Sequence, residues 1–470
     1  MYKLADCLDK ALVFLALLSC LAILLSASWV NPASVLGALA CWVALVCLLA
    51  RREYARFRPT LFVISLAFFL LVAALGHNPP VSDFLRQYAD AASFAGGEVS
   101  VYQTEYYGQW PAQFGWSVVE AFLLFLFGGG QVAIKVFECF CSSLVLVEAS
   151  LLVEMLSGSK RASQVVSCLL ALFPTFFLMV GVLSNQVLSA LLYLTALLLF
   201  VRVAGRHVGG QALLGASVLV GVFLALGNFV RPDGAVILLA VLCCLVFEFF
   251  SRPRGGRLPV VACVVGAALA YFAVSCALSF AVSSSGLVKE SNYSMSTWKI
   301  AVGTNNASGG AWSKELVERS EAKIESGMTP SEAHWEMVRE NTKDWQKNVD
   351  TLVKKNRILW WGDSTLFATV HLREAHPALA GFLLAFDRAW KVLLLLGLLG
   401  SLALMARRER ISAAERLLLL VFVGTFLAYQ IIEVQPRYVY FCYIVMFAAA
   451  APFFARLSEA LPRFLTRLKP

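Results

Sequence analysis

Residues 60–76 read TLFVISLAFFLLVAALG, and residues 77–116 read HNPPVSDFLRQYADAASFAGGEVSVYQTEYYGQWPAQFGW. The first stretch is apolar throughout and long enough for a helix to cross a hydrocarbon layer. The second is rich in aromatics and acids, among them Asp83, Asp90, Glu98 and Glu105. A membrane span that opens into an acidic, aromatic loop is the frame for reading the rest of the chain.

Working outward, 59% of the 470 residues are hydrophobic and 15% are charged, which excludes an ordinary water-soluble domain. Twelve apolar runs are candidate spans: 11–29, 34–50, 60–76, 131–155, 163–180, 184–203, 211–229, 233–250, 258–281, 388–405, 413–431 and 437–456. The first follows Lys3 and Lys10 as a signal peptide would, but two more runs come at once, so it reads as an uncleaved span. The twelve cysteines lie almost entirely in apolar runs and none in the long polar loops, as small buried hydrophobes rather than disulfide or metal-site residues.

The formal charge of +9 is a topology signal before it is a nucleic-acid signal. One set of alternate loops, with the termini, holds 20 Lys and Arg, including Arg51, Arg52, Arg56 and Arg58, Lys160 and Arg161, and Arg407, Arg408 and Arg410. The opposite short loops and residues 77–130 hold only Arg86, Arg231 and Arg437. Both termini are therefore expected in the cytoplasm, with residues 77–130 and 283–387 outside.

The expected architecture is an all-α polytopic membrane protein of about 12 transmembrane helices, with outer juxtamembrane helices and a mainly helical extracytoplasmic loop domain. Its expected divisions are 1–76 (three spans), 77–130 (first outer loop), 131–282 (six spans), 283–387 (loop domain) and 388–470 (three spans and a cytoplasmic tail). The loop domain is nearly neutral and mixed in sign, as a folded surface is. Within it, Thr329-Pro330-Ser331-Glu332 has the cap, first-turn proline and third-position Glu of a helix start. Trp335, Val338, Trp345, Val349 and Leu352 then form one face of an amphipathic helix ending near Arg357, expected to pack against the loop or to cover a membrane or substrate surface.

Where positive charge is almost excluded, Arg231 in GNFVRPDG and Arg437 in EVQPRYVY need a reason. An arginine at the membrane boundary suits a phosphate, to which its planar fork donates two parallel hydrogen bonds. It also suits headgroup snorkelling, or pairing with Asp233 or Glu433. Asp83 opens a helix shortly after the third span. A carboxylate beside lipid and aromatics can serve as a general base, and an Asp at that place can equally be a helix cap. Taken together, the acid and the arginines compose one chemistry. A lipid-linked phosphate leaves, stabilised by Arg, while a carboxylate activates an acceptor hydroxyl. That is glycosyl transfer from a polyprenyl-phosphate sugar, which needs no nucleotide-binding loop, and Gly128-Gly129-Gly130 reads only as a turn.

At these residues the chain resembles the C-type glycosyltransferase superfamily, in particular the family of protein O-mannosyltransferases and the lipid A aminoarabinose transferase. The resemblance rests on Asp83 with Tyr88 and the Gly96-Gly97 pair, on YYGQWPAQFGWSVVEAFLLFLFG at 106–128, and on ALFPTFFLMVGVLSNQ at 171–186. RPDG at 231–234, GTNNASGGAW at 303–312 and QPRYVYF at 435–441 complete it, so that it spans about 80–450. It implies an inverting hexosyl- or pentosyltransferase with Asp83 as catalytic base and Arg231 and Arg437 at the lipid phosphate. It further implies Tyr88, Glu105, Tyr107 and Glu433 as substrate-binding candidates, and residues 114–128 as a juxtamembrane helix. Two features depart from the family: Asn185 and Gln186 stand where many members carry a second acid, and three spans rather than one precede Asp83.

The acceptor class implied is a glycan, glycolipid, cell-wall polymer or protein, with no nucleic acid and no certain cofactor. A divalent ion remains open, although the five His make no metal-ligand pair. Trp360-Trp361-Gly362-Asp363 shares its tryptophans and acid with the WWD signature of oligosaccharyltransferases, but the residues that follow do not match, and it reads as coincidence. Glu148 in the fourth span is expected to face a partner inside the bundle. Asn292-Tyr293-Ser294 and Asn306-Ala307-Ser308 are outer sequons. Competing classes are a polysaccharide polymerase or ligase and a lipid-linked saccharide transporter. Transporters place charges near the midplane and repeat their halves, whereas these charges lie at the boundary.

Overall fold

A computed structural model describes all residues except 1, 28–29, 77–78, 205–209, 252–256, 290–296 and 468–470. The sequon 292–294 therefore lies outside the described residues. The chain is an all-α polytopic membrane protein, and helix occupies each of the twelve apolar runs. Among the described residues, nine helices are long and apolar enough to cross a membrane, from Ala5–Leu25 to Ala413–Ile431. Two more spans are bent pairs, and the run at 211–229 forms the shorter apolar helix Leu214–Val230.

The bends correct the expectation of continuous fifth and twelfth spans. Lys160–Ala171 and Pro174–Gly181 meet at 64°, and Pro436–Ala449 and Ala451–Ala460 at 44°. Pro174 lacks the amide that the first helix would need in order to continue, and it opens the second helix at its first position. Pro452 plays the same part after Ala450.

The tenth span also differs from its reading. Its helix is Pro377–Ala406, so the expected boundary at 387/388 falls inside it. Asp387 and Lys391 interrupt the apolar run, yet they are 0% and 2% exposed and paired at 2.7 Å. Asp387 also accepts from the amide and hydroxyl of Thr175, at the bend of the fifth span.

The outer loop corrects a further expectation. The amphipathic segment from Thr329 is two helices, Pro330–Asn341 and Trp345–Asn356. The capping box at Thr329 and Glu332 forms as its residues suggest, but Asp344 caps a second start through the amides of Gln346 and Lys347. The break rotates the faces: Ala333, His334, Met337, Thr351 and Lys355 are buried, while Trp335, Trp345, Val349 and Leu352 are exposed. Residues 114–128 do form a short helix, Phe114–Phe127, with one buried face and a row of exposed phenylalanines. Gly128, Gly129 and Gly130 all have positive φ, which lets the chain turn sharply into the fourth span. Glu148 meets the bundle, accepting from the Thr195 hydroxyl at 2.7 Å.

At the end of the bundle opposite the long loops, the buried Arg416 donates to both oxygens of Asp9, at 2.8 and 3.0 Å, and to Glu248 at 2.7 Å. One guanidinium thus joins the first, eighth and eleventh spans. Replacing Arg416 with Leu leaves Asp9 buried and unpaired, for an expected loss of about 3–5 kcal/mol. The check is the unfolding midpoint of Arg416→Leu, which the double variant Arg416→Leu/Asp9→Leu is expected to recover in part.

Candidate active site

The helix Asp83–Ala95 begins after Ser82, whose φ of 56° turns the chain sharply out of the third span. Asp83 is the first helical residue and Ser82 the cap, so the Asp83 carboxylate is not used up in capping. The Tyr106 hydroxyl donates to its Oδ1 at 3.4 Å, and its Oδ2 lies 3.8 Å from Nη2 of Arg437. The Asp83 side chain is 40% exposed and that of Arg437 only 11%, so the acid is accessible and the arginine recessed. Burial, and then the Asp83 charge, push the Tyr106 phenol above its usual range, which keeps it a hydrogen-bond donor.

Arg437 sits in the short turn Pro436–Val439 at the start of the bent twelfth span. Its guanidinium lies over the rings of Phe84 and Phe367, at 4.5 and 5.1 Å, and its Nε donates to Gln435 at 2.9 Å. Pro436 fits because Gly362 has no side chain: a Cβ there would lie 2.6 Å from Pro436 Cγ. Gly362 belongs to the Trp360-Trp361-Gly362-Asp363 segment, whose two tryptophans are core residues. The Trp361 indole donates to the Ile23 carbonyl, and Tyr443 donates to the Trp360 carbonyl.

Tyr438 gathers the other charges. Arg231, Lys299 and Arg437 lie 5.1, 5.7 and 5.9 Å from its ring centroid. Arg231 is held by Asp233 and donates to Asn185 at 3.2 Å. Glu433 accepts from Gln435 and from the Tyr438 hydroxyl. Burial lowers the Lys299 ammonium from its ordinary value, Glu433 opposing the shift and Arg231 adding to it. Lys299 reaches the site because its helix, Trp298–Gly303, docks on the bundle. The Glu433 amide donates to the Lys299 carbonyl at 2.8 Å, and the Val434 amide to the Gly310 carbonyl at 2.9 Å. Gly303 permits this approach, since a Cβ there would lie 2.3 Å from the Ile431 carbonyl oxygen.

The structure therefore brings Asp83, Arg231, Arg437 and Glu433 to one end of the bundle. Tyr88, Glu105 and Tyr107 stand apart from them. Tyr88 packs beside the glycine turn at Gly130, Glu105 is exposed at the start of a short helix, and Tyr107 is buried and donates to Asp90 at 2.8 Å. Tyr106, one residue before Tyr107, is the tyrosine that meets Asp83. Tyr106, Tyr438 and Lys299 escaped the reading of the sequence. Lys299 alone carries a signal there, as the single charge in WKIAVG.

Among solved structures, the chain is similar to the oligosaccharyltransferase of Archaeoglobus fulgidus in its apo form. The TM-score is 0.52 at 16% identity, over 88% of this chain and 52% of that one. The likeness is one of fold. A second structure, the oligosaccharyltransferase AglB of the same organism in complex with an inhibitory peptide and a dolichol-phosphate, aligns with a TM-score of 0.46 at 13% identity, over 86% of this chain and 51% of that one. The chain thus spans about half the length of the chains it matches. No protein-family model matches the sequence, and no curated protein matches it. Helix Pro330–Asn341 packs on the segment that carries Lys299: its buried His334 shares a hydrogen bond with Thr297 at 2.9 Å and packs on Trp298.

Burial lowers the His334 pKa, so the folded state favours the neutral ring. The stability this contributes is complete above the unfolded value of about 6.5 and is lost as pH falls from there towards the folded value. The protection factors of the amides in residues 298–303, which take out the intrinsic pH dependence of exchange, are therefore expected to fall on acidification across that window, and His334→Gln is expected to flatten the dependence.

Proposed function

We propose that the protein is an inverting membrane glycosyltransferase that moves a hexose or pentose from a polyprenyl-phosphate donor to an acceptor hydroxyl on the extracytoplasmic face. The observation that carries this reading is the accessible Asp83 carboxylate, 3.8 Å from a recessed Arg437 that shares the Tyr438 ring with Arg231 and Lys299. The C-type fold supports it at the coarse level, since the similar solved structure is an oligosaccharyltransferase.

In this mechanism Asp83 takes the proton of the acceptor hydroxyl. The oxygen's electron pair attacks the anomeric carbon from the face opposite the phosphate, and the bond from that carbon to the phosphate oxygen breaks with inversion. The electrons leave on the polyprenyl phosphate, whose growing charge is met by Arg437, Arg231 and Lys299. Phe84 and Phe367 around Arg437 exclude water and strengthen the interaction. The Tyr106 hydroxyl aligns the base. Asn185 occupies the place of a second acid and accepts from Arg231, so Asp83 acts as the sole base.

The test is turnover and binding by the purified protein with a panel of polyprenyl-phosphate sugars, using nucleotide-sugars and uncharged lipid as controls. Asp83→Asn is expected to reduce turnover by about 10²–10⁴-fold with donor binding nearly unchanged. Arg231→Ala or Arg437→Ala is expected to weaken donor binding by about 10- to 100-fold, the loss of a hydrogen bond to a charged group. Near-normal turnover in Asp83→Asn would refute its assignment as base. Binding of pyrophosphate-linked glycans but of no monophosphate donor would favour a polymerase or ligase.

A further inference from the structure

The helix Trp345–Asn356 buries its polar side and exposes its apolar one. The side chains it buries are Thr351, Lys355 and Asn356. Its apolar residues point outward, with Trp345 70%, Val349 51%, and Leu352 and Val353 each 40% exposed. A helix on a surface bathed by water does the opposite, turning its apolar stripe inward and solvating the polar one.

Named contacts fix the buried side. The Asn306 amide donates to the Thr351 hydroxyl at 2.6 Å, and the Lys355 ammonium donates to the carbonyls of Gly303 and Gln430, each at 2.9 Å. Charged pairs occupy a different flank, where Lys347 lies 3.8 Å from Asp344 and Lys354 lies 2.7 Å from Asp350. Positions 345, 349, 352 and 356 recur at helical spacing and therefore share one face, which is neither the buried side nor the charged flank.

The last member of that face shows where it is turned. The side-chain amides of Asn356 and Gln430 exchange hydrogen bonds at 3.4 and 3.3 Å, and Gln430 is the last residue but one of the span Ala413–Ile431. At the same end of that span, Leu427 and Ile431 point away from the bundle, 51% and 58% exposed, as the lipid-facing residues of a membrane helix do. The outward stripe thus begins where the lipid-facing surface of the bundle leaves the hydrocarbon, and it continues that surface. A contiguous apolar stripe left in water is unfavourable, whereas the headgroup layer accommodates both such a stripe and the amphipathic ring of a tryptophan.

We infer that helix Trp345–Asn356 rests on the membrane, with Trp345, Val349, Leu352 and Val353 in the headgroup layer of the leaflet on the Asp83 side and with Lys347, Asp350 and Lys354 in water. Lys355 gives this contact a consequence. The Gly303 carbonyl that it holds belongs to the end of helix Trp298–Gly303, so the leaflet braces the segment that brings Lys299 to the Tyr438 ring.

The surface stands whether or not the transfer reaction does, and it is tested without turnover. The full-length protein is placed in nanodiscs of phosphatidylcholine, or of phosphatidylcholine brominated on the acyl chain near the glycerol. The fluorescence of Trp345 is read as the difference between the native protein and Trp345→Phe. That component is expected to lose most of its intensity in the brominated lipid and little of it to aqueous iodide. Adding Lys347→Trp to Trp345→Phe puts an indole on the charged flank, and its emission is expected to show the reverse. The double variant Val349→Glu/Leu352→Glu, whose altered side chains lie outside the packed core, is expected to unfold cooperatively and to lose the bromine quenching of Trp345. The inference is overturned if iodide rather than bromine quenches Trp345, which places the stripe in water. It is equally overturned if neither does, which places the stripe against protein; particle mass then tells a second copy from the chain itself. Bromine quenching that is the same at both positions, or that survives in the double Glu variant, overturns it as well. The expected quenching in a protein without transferase turnover would leave this surface standing and remove only the proposed activity.

Discussion

Buried positive charge at a membrane boundary is the constraint around which this molecule is arranged. Arg231, Lys299 and Arg437 converge on one face of the bundle, and each would be unstable there without partners. Tyr438 offers its ring to all three, Asp233 and Asn185 hold Arg231, and Gln435 orients Arg437. The second oxygen of Asp83 completes the set at a longer distance. Contacts of this sort satisfy the cations in part, and the positive character they leave is what the proposed leaving phosphate requires.

The surrounding structure is organised to hold that face still. The twelfth span begins as a tight turn at Pro436, and Gly362 lets the Trp360–Asp363 segment press against it. Behind that segment, Lys391 reaches the Ser364 hydroxyl and pairs with Asp387, which in turn holds the Thr175 amide at the bend of the fifth span. The loop is fastened to the same turn by backbone bonds at Glu433 and Val434, and by the buried Lys355, whose ammonium donates to the carbonyls of Gly303 and Gln430. A site assembled from four distant parts of the chain is thereby made rigid through buried polar contacts, each of which is destabilising if it is broken.

Much of the framework was legible beforehand. Helix occupies each of the twelve apolar runs, and Asp83 lies 3.8 Å from Arg437, which shares the Tyr438 ring with Arg231. The errors have physical causes. The tenth span reads from 388 because the charges at Asp387 and Arg388 look like a solvent-facing end, whereas Lys391 neutralises Asp387 inside the bundle. The single helix read from Thr329 ignored the capping power of Asp344. Tyr107 is a substrate-binding candidate through the resemblance alone, and it is Tyr106 that meets Asp83: neighbouring helical residues point in different directions, and spacing does not say which faces the acid.

By itself the sequence determined the membrane character, the order of the spans and the pairing of an acid with scarce arginines at polar ends. Those properties are set by local hydrophobicity and charge, since a backbone in lipid must bond within its own helix. Only the tertiary structure decided that Lys299 joins the arginines, that Tyr106 meets Asp83, and that Glu138 holds the Leu183–Ser184 turn. These residues are far apart in the chain, and their approach depends on how helices bend and dock, which no local pattern of residues encodes.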